Sequence, residues 1–483
     1  RLLGEKISSN KCDREKLNLK NFKSTLDEKT AIIIYNQLFD YGIAQACITK
    51  NNIKLRLLST EKITKNKKII ECNKNMVIKT PDSKKKSSSV RAVKNYYKKK
   101  KLVLAKKYIL TSQKQRYWDK EIESYQKKLK SIDEARGVGG KASQQIFYKQ
   151  SRQLYSILIK PFIKQLQDKT NLIIIPDGAF YLLPFETLLD NKHNYLAQKY
   201  CISYAHSLKV WNELRKISYS KERKELVAFG GVSYFHDKSR GQKIKPLNIY
   251  ELLALKKQAR YDLENNIPLQ KIYTKLYNTN WPVLKGSLEE VNKIKKFFQN
   301  YKIITGKQVN ECLIKQLSKR GELQKYKIIH FAMHGLFVSS IPELSALIFS
   351  PSNNKKDDGY LISKEIAQLD LKADFVNLSA CQTAQGSLIP GEAPIGLTYA
   401  FLLAGAKSVS STLWSISDKG TSIFMQAVYK LVKEKNISYA QAINEIKRKF
   451  IDGKYGKQYR MPYYWAPFVF YGDETCKCNF SKK

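Results

Sequence analysis

Two short apolar runs, each ending in a reactive side chain beside small residues, constrain this chain most: Ile328-Ile329-His330-Phe331-Ala332-Met333-His334-Gly335 and Val376-Asn377-Leu378-Ser379-Ala380-Cys381-Gln382-Thr383. Near-continuous apolar runs of this length are how parallel strands buried on both faces read. A strand of that kind delivers whatever follows it to the carboxyl edge of its sheet, where open α/β folds place their sites. His334 and Cys381, 47 residues apart in the chain, are therefore expected side by side at one sheet edge.

The rest of the chain alternates in the manner of an α/β fold. Ala31–Tyr35, 44–49 and 53–58 are β-like, with Asn51-Asn52 as the turn between the last two. From 60 to 101 the composition turns Lys-rich, lowest in structure at Ser83–Ser89, which predicts a mobile loop. Residues 90–132 are basic and helix-permissive, and Gly137-Val138-Gly139-Gly140 predicts a linker closing them off. Beyond it a helix is expected over 148–167. Strands are expected at 171–175, 300–304, 326–332, 374–379, 406–413 and 463–471, and strands or helices at 201–204 and 225–229. Helices are expected at 287–299, 396–404, 419–434 and 438–451. The pattern predicts a mostly parallel sheet covered by helices on both faces. The expected organisation is a lead-in with short strands (1–59), a basic loop and helical segment (60–147), the main α/β domain (148–473) and a short tail (474–483).

A His and a Cys at one sheet edge are the minimal machinery of a cysteine peptidase: the imidazole organises the thiol proton, and the thiolate attacks a carbonyl. Gly335 marks the point where the chain turns. His334 is therefore the expected base, exposed at the strand end, with His330 as its buried partner. The backbone N–H groups of Gly335 and Cys381 could form an oxyanion hole, a role that needs donors rather than side chains. No Asp or Asn stands out as a third member. A dyad suffices for a thiol, whose pKa of about 8.5 leaves a few per cent thiolate near neutrality. The competing reading makes both His and Cys381 ordinary core residues.

With these motifs in view the chain resembles the CHAT-domain family, caspase-like cysteine peptidases often fused to tetratricopeptide repeats and related to separase. The resemblance runs in order through Ile174–Phe180, Leu183-Pro184-Phe185-Glu186, Ile202–Leu208, His334-Gly335 and Ser379–Thr383. It continues through Gly396-Leu397, Phe401–Ala406, Val409–Trp414 and Tyr464-Trp465-Ala466-Pro467-Phe468. The His-to-Cys separation is similar to the roughly 50 residues of caspases, although Ser379–Thr383 is not their pentapeptide. The resemblance implies a caspase-like fold, His334 as general base, Cys381 as nucleophile, no cofactor, a protein substrate, and control by a regulatory partner or upstream repeats. In separase-like relatives, which prefer a basic residue before the scissile bond, an Asp after the Leu-Trp strand helps form the pocket. Asp418 stands in a similar place, with Glu392 as a second acid, and either would favour Arg or Lys. Asp418 as the N-cap of the helix that follows is the alternative. Trp414 and Trp465 are read as core. A caspase-like scaffold without catalysis is the rival from another class.

Composition bounds the rest. At 43% hydrophobic and 11% aromatic, the 483 residues suffice for a substantial core. The formal net charge of +45 comes mainly from Lys, in a chain also rich in Asn, Ile and Tyr, and reads first as a compositional bias. Base reading and phosphate clamping favour Arg instead. Nonspecific, salt-sensitive nucleic-acid binding is still expected. Eight scattered cysteines without paired CxxC spacing predict free thiols in a reducing, cytoplasmic setting, and with five His make a metal site unexpected. No apolar window is long enough to span a membrane. The chain opens at Arg1 without Met, which is expected of a fragment.

Overall fold

The computed structural model describes residues 19–37, 42–59, 76–77, 117–134, 138–234, 249–265, 267, 272–273, 281–336, 344–352, 354, 357–379, 395–414, 416 and 418–477. Its frame is one twelve-stranded sheet of two halves. The first half holds β1 (Thr30–Gln37), β2 (Gly42–Thr49), β3 (Ile53–Ser59), β4 (Met76–Val77), β5 (Asn171–Ile175) and β6 (Cys201–Tyr204). The second holds β7 (Lys224–Val232), β8 (Tyr301–Gly306) and β9 (Tyr326–Ala332), then β13 (Phe375–Ser379), β14 (Ser408–Thr412) and β15 (Phe468–Gly472). Between β9 and β13 the chain makes a small antiparallel sheet of β10 (Gly335–Leu336), β11 (Ala346–Ile348) and β12 (Tyr360–Ile362).

In space the large sheet runs β4-β3-β2-β1-β5-β6-β15-β14-β13-β9-β7-β8. Within the second half, numbering its strands from one, the order is 2-1-3-4-5-6 with only the last antiparallel. The fold is α/β, with a large, mostly parallel sheet flanked by helices. Because β15 is antiparallel to β14 yet parallel to β6, the halves run in opposite directions. The carboxyl ends of β9 and β13 thus open on the edge opposite those of β5 and β6.

Helices α1 (Tyr117–Glu134), α2 (Val138–Leu158), α3 (Lys285–Ile294), α4 (Ile395–Leu403), α5 (Asp418–Lys435) and α6 (Tyr439–Ile451) cover the sheet. Side chains alternate across each strand, so β9 feeds two cores. Ile328 and Ala332 join Tyr429 of α5 and Ile443 of α6 on one face. Ile329, Phe331 and Met333 meet Leu397 and Phe401 of α4 on the other. Trp414 and Trp465 are both core, their indole N–H groups donating to the Tyr463 and Arg460 carbonyls at 3.1 and 3.0 Å. The turn after β5 requires a glycine: Gly178 has φ +58°, and a Cβ there would meet Oε1 of Gln37.

Several expectations give way. Val138, Gly139 and Gly140 form the first turn of α2 rather than a linker; packing of α1 against α2 outweighs the helix cost of Gly, about 1 kcal/mol each. That helix stops at Leu158 instead of 167, since Pro161 imposes a 3₁₀ turn over Lys160–Phe162. Within the Lys-rich segment Met76-Val77 adds a short antiparallel edge to β3, with Leu55 opposite Met76. The remainder of 60–116, Ser83–Ser89 included, lies outside the described residues. The last strand covers only Phe468–Gly472, because Pro462 starts a helical turn through Trp465. Among the described residues no helix is long and apolar enough to cross a membrane.

Candidate active site

Strands β9 and β13 are direct parallel neighbours, with Phe375 opposite Ile328, Asn377 opposite His330 and Ser379 opposite Ala332. The Met333 N–H donates to the Ser379 carbonyl at 3.3 Å, carrying the pairing one step further. His334 follows Ala332 by two residues, as Cys381 follows Ser379. The two strands therefore end on the same rung, two residues before His334 on β9 and two before position 381 on β13. Cys381 itself and Glu392 lie outside the described residues.

His334 is fully buried, not exposed as its strand-end position predicts. Its ring sits between Tyr234 and Trp281, with centroids 4.8 and 5.2 Å away. The backbone anchors it as well: its N–H donates to the Tyr234 hydroxyl at 2.9 Å, and its carbonyl accepts from Ile348 N–H at 2.9 Å. Burial keeps the Tyr234 phenol protonated by raising its pKa. The informative contact is at the ring, where Nε2 lies 2.7 Å from the carbonyl oxygen of Pro282. A carbonyl can only accept, so Nε2 carries the proton, and in the neutral ring Nδ1 holds the lone pair. The ring is thus oriented and held in one tautomer by a backbone group.

The Ile348-to-His334 hydrogen bond also fixes the alternation of the β10–β11 ladder. It makes Gly335 and Leu347 a non-hydrogen-bonded pair. The Gly335 N–H consequently points away from β11.

Behind the strand ends lies a buried polar cluster. His330 Nε2 is 3.1 Å from Glu290 Oε1, and the Ser379 hydroxyl donates to the same oxygen at 2.6 Å. His330 Nδ1 is 2.9 Å from the Tyr429 hydroxyl and 3.2 Å from Nδ2 of Asn377. An amide nitrogen can only donate, so Nδ1 accepts from Asn377, and in the neutral ring Nε2 carries the proton. His330 is buried as expected.

Asp418 is the first residue of α5, four residues after Trp414. Tyr234, Trp281, Pro282 and Glu290 are absent from the sequence-derived site. Only Glu290 had a readable signal: it shares the buried stripe Ser287, Glu290, Val291, Ile294 of α3, where a carboxylate needs a partner. Among the described residues no group of three or more His, Cys, Asp or Glu could hold a metal ion.

A model of the CHAT domain matches residues 149–473. Among solved structures, chains of the Saccharomyces cerevisiae separase–securin complex at 2.6 and 3.0 Å resolution align with this chain at 12% identity and a TM-score of 0.40. The alignments cover 94% of this chain and 31% and 30% of theirs, so it spans about a third of their length. No curated protein matches it.

Proposed function

This chain belongs to the CHAT-domain family of caspase-like cysteine peptidases, and on that premise we propose that it is an endopeptidase using His334 and Cys381 as a dyad. In the proposed reaction His334 Nδ1 takes the Cys381 thiol proton as sulfur attacks the scissile carbonyl carbon. The N–H groups of Gly335 and Cys381 hold the resulting oxyanion. Collapse of the tetrahedral species breaks the C–N bond, and His334 returns the proton to the leaving amine. Water, deprotonated by His334, then cleaves the thioester and restores the thiol.

The observation that carries this reading is the 2.7 Å contact between His334 Nε2 and the Pro282 carbonyl. A third catalytic side chain is unnecessary when a backbone carbonyl already fixes tautomer and ring orientation, leaving Nδ1 as the base. The 0% exposure of His334 suits a base shielded from bulk water.

The proposed substrate is a protein cut after Arg or Lys, with Asp418 and Glu392 as the acids that receive the basic side chain. A partner or effector is proposed to release the site, so basal activity of the isolated chain is expected to be low. Covalent labelling by an acyloxymethyl ketone bearing a basic residue tests the reading. Labelling of the wild type that vanishes in Cys381→Ala and His334→Ala supports the dyad, and weaker labelling by an acidic-residue probe supports the pocket. Equal labelling by both probes removes the basic preference. Absence of wild-type labelling, with and without candidate activators, favours a silent scaffold.

A further inference from the structure

Outside the dyad, the least expected feature of this half-sheet is the charged residue at its centre. Glu290 is 4% exposed, and its position on α3 points it at the sheet rather than at solvent. A carboxylate buried this deeply is costly unless each lone pair has a donor. Its hydrogen-bond donor is the hydroxyl of Ser379 on β13, 2.6 Å from Oε1, and Nε2 of His330 on β9 lies 3.1 Å from the same oxygen without hydrogen-bond geometry. His330 precedes His334 by four residues, and Ser379 precedes Cys381 by two. One oxygen atom thus joins the two strands that end in the candidate base and nucleophile.

Core packing alone does not require this arrangement. The Ile328 and Ala332 positions flanking His330 on the same face are apolar, and an apolar side chain at 330 would continue them. What a hydrogen-bonded carboxylate adds is direction. Apolar contacts tolerate a sliding of one strand against its neighbour by a fraction of an ångström, whereas the 2.6 Å hydrogen bond of Ser379 to a carboxylate wedged 3.1 Å from His330 does not. Asn377, whose Nδ2 meets His330 Nδ1 at 3.2 Å, ties the same two strands two rungs before Ser379. The Tyr429 hydroxyl at 2.9 Å braces His330 from α5, the helix that begins at Asp418.

We propose that Glu290 is a positioning residue, acting through Ser379 and His330 to set the height of Cys381 relative to His334. The inference rests on the dyad reading and adds to it a device that neither touches substrate nor exchanges a proton with it. A thiol–imidazole pair is sensitive to separation, since thiolate formation depends on a hydrogen bond to the base and an ångström of misplacement can cost about 100-fold in rate.

The test is the pH dependence of Cys381 alkylation by iodoacetamide in the full chain, with modified sites mapped by mass spectrometry. Peptidase activity is not needed for this readout. Background is limited, because burial raises the Cys47 and Cys201 thiols to about 12. Wild type is compared with Ser379→Ala, Ser379→Thr, Glu290→Gln and His334→Ala, each checked by thermal unfolding. The expected result is a roughly tenfold slower alkylation at neutral pH in Ser379→Ala and Glu290→Gln. Their midpoints should move toward the free-thiol value of about 8.5, with recovery in Ser379→Thr and unfolding unchanged. Ser379→Ala and Glu290→Gln profiles that superimpose on wild type, while His334→Ala is displaced, overturn the inference and leave the dyad standing. Coincidence of wild type and His334→Ala removes the dyad and the inference together.

Discussion

His206 leaves β6 into a cage of aromatic rings, with centroids of Tyr471, Tyr399 and Tyr181 at 4.9, 5.0 and 6.4 Å from its own. Its Nε2 meets Thr398 Oγ1 at 3.3 Å. Among the described residues no carboxylate compensates a proton there, and burial pushes the imidazole down to about 3. In the unfolded chain a His titrates near 6.5. Between those values the unfolded state binds more protons than the folded one, so stability rises with pH there. The contribution is complete above about 6.5 and is lost as pH falls toward 3. Replacing His206 by Phe is expected to narrow the gap between melting temperatures measured at pH 7.5 and pH 5. An unchanged gap would assign the acid lability of the fold to other groups. The same logic separates thiols: Cys47, Cys201 and Cys476 are all raised by burial, so none of them competes as a nucleophile.

Among the elements, the turn Phe185–Thr187 and helix α6 are joined by a pair that no packing argument would choose. Lys447 Nζ lies 2.5 Å from Glu186 Oε1 with both side chains essentially inaccessible, and the Tyr204 hydroxyl donates to Glu186 Oε2 at 2.6 Å. Burial lowers the Lys447 pKa, and Glu186 opposes it. Breaking one side of such a pair strands a buried charge, at about 3–5 kcal/mol. Lys447→Met should lose about that much in urea denaturation, and the double variant Lys447→Met/Glu186→Gln should recover most of it. A double variant no better than the single one would show that Tyr204, not Lys447, governs the carboxylate. The family motif Leu183-Pro184-Phe185-Glu186 was legible in the sequence, but the partner of its acid, more than 250 residues on, was not. Legibility follows the same division throughout. β5 and β9 have the bounds their apolar runs predicted, Asn171–Ile175 and Tyr326–Ala332, since such runs end at unmistakable turn or small residues, whereas the short run Cys201–Tyr204, equally readable as helix, is strand β6. The glycines at 139 and 140 misled because tertiary packing overrides a weak propensity. At the site, the rung shared by β9 and β13 could be anticipated. The Pro282 carbonyl could not, because backbone groups carry no sequence label, and Tyr234 lies 100 residues from the histidine it holds.

Across the whole molecule two properties act over long distance, charge and sheet continuity. A net charge of +45 will attract any polyanion. If it is diffuse Lys electrostatics, affinity for DNA should be independent of sequence and fall by about 10³ or more between 50 and 200 mM salt. A sequence preference that survives 200 mM would instead identify a built surface. Continuity concerns how far the folded unit extends beyond the matched residues 149–473. β1 pairs with β5 over five rungs, from Thr30–Asn171 to Ile34–Ile175. The Tyr35 hydroxyl donates to the Leu158 carbonyl at 2.9 Å, Arg56 donates to Ile157 at 2.8 Å, and Asp177 accepts from the Gln37 N–H at 2.8 Å. On the same side Trp118 of α1 packs on Phe180, and the Tyr125 hydroxyl lies 2.7 Å from Oγ1 of Thr187. A chain beginning at 149 would expose the apolar edge of β5, a template for intermolecular pairing. It would also uncover Ile174 and Phe180, both fully buried in the folded chain. Residues 149–473 produced alone should therefore aggregate or unfold at a markedly lower temperature than residues 19–477, as size-exclusion chromatography and thermal melts would show. A monodisperse short form with an unchanged melting temperature would mean that β1–β3 are an accessory edge and that the sheet is self-sufficient from β5 onward.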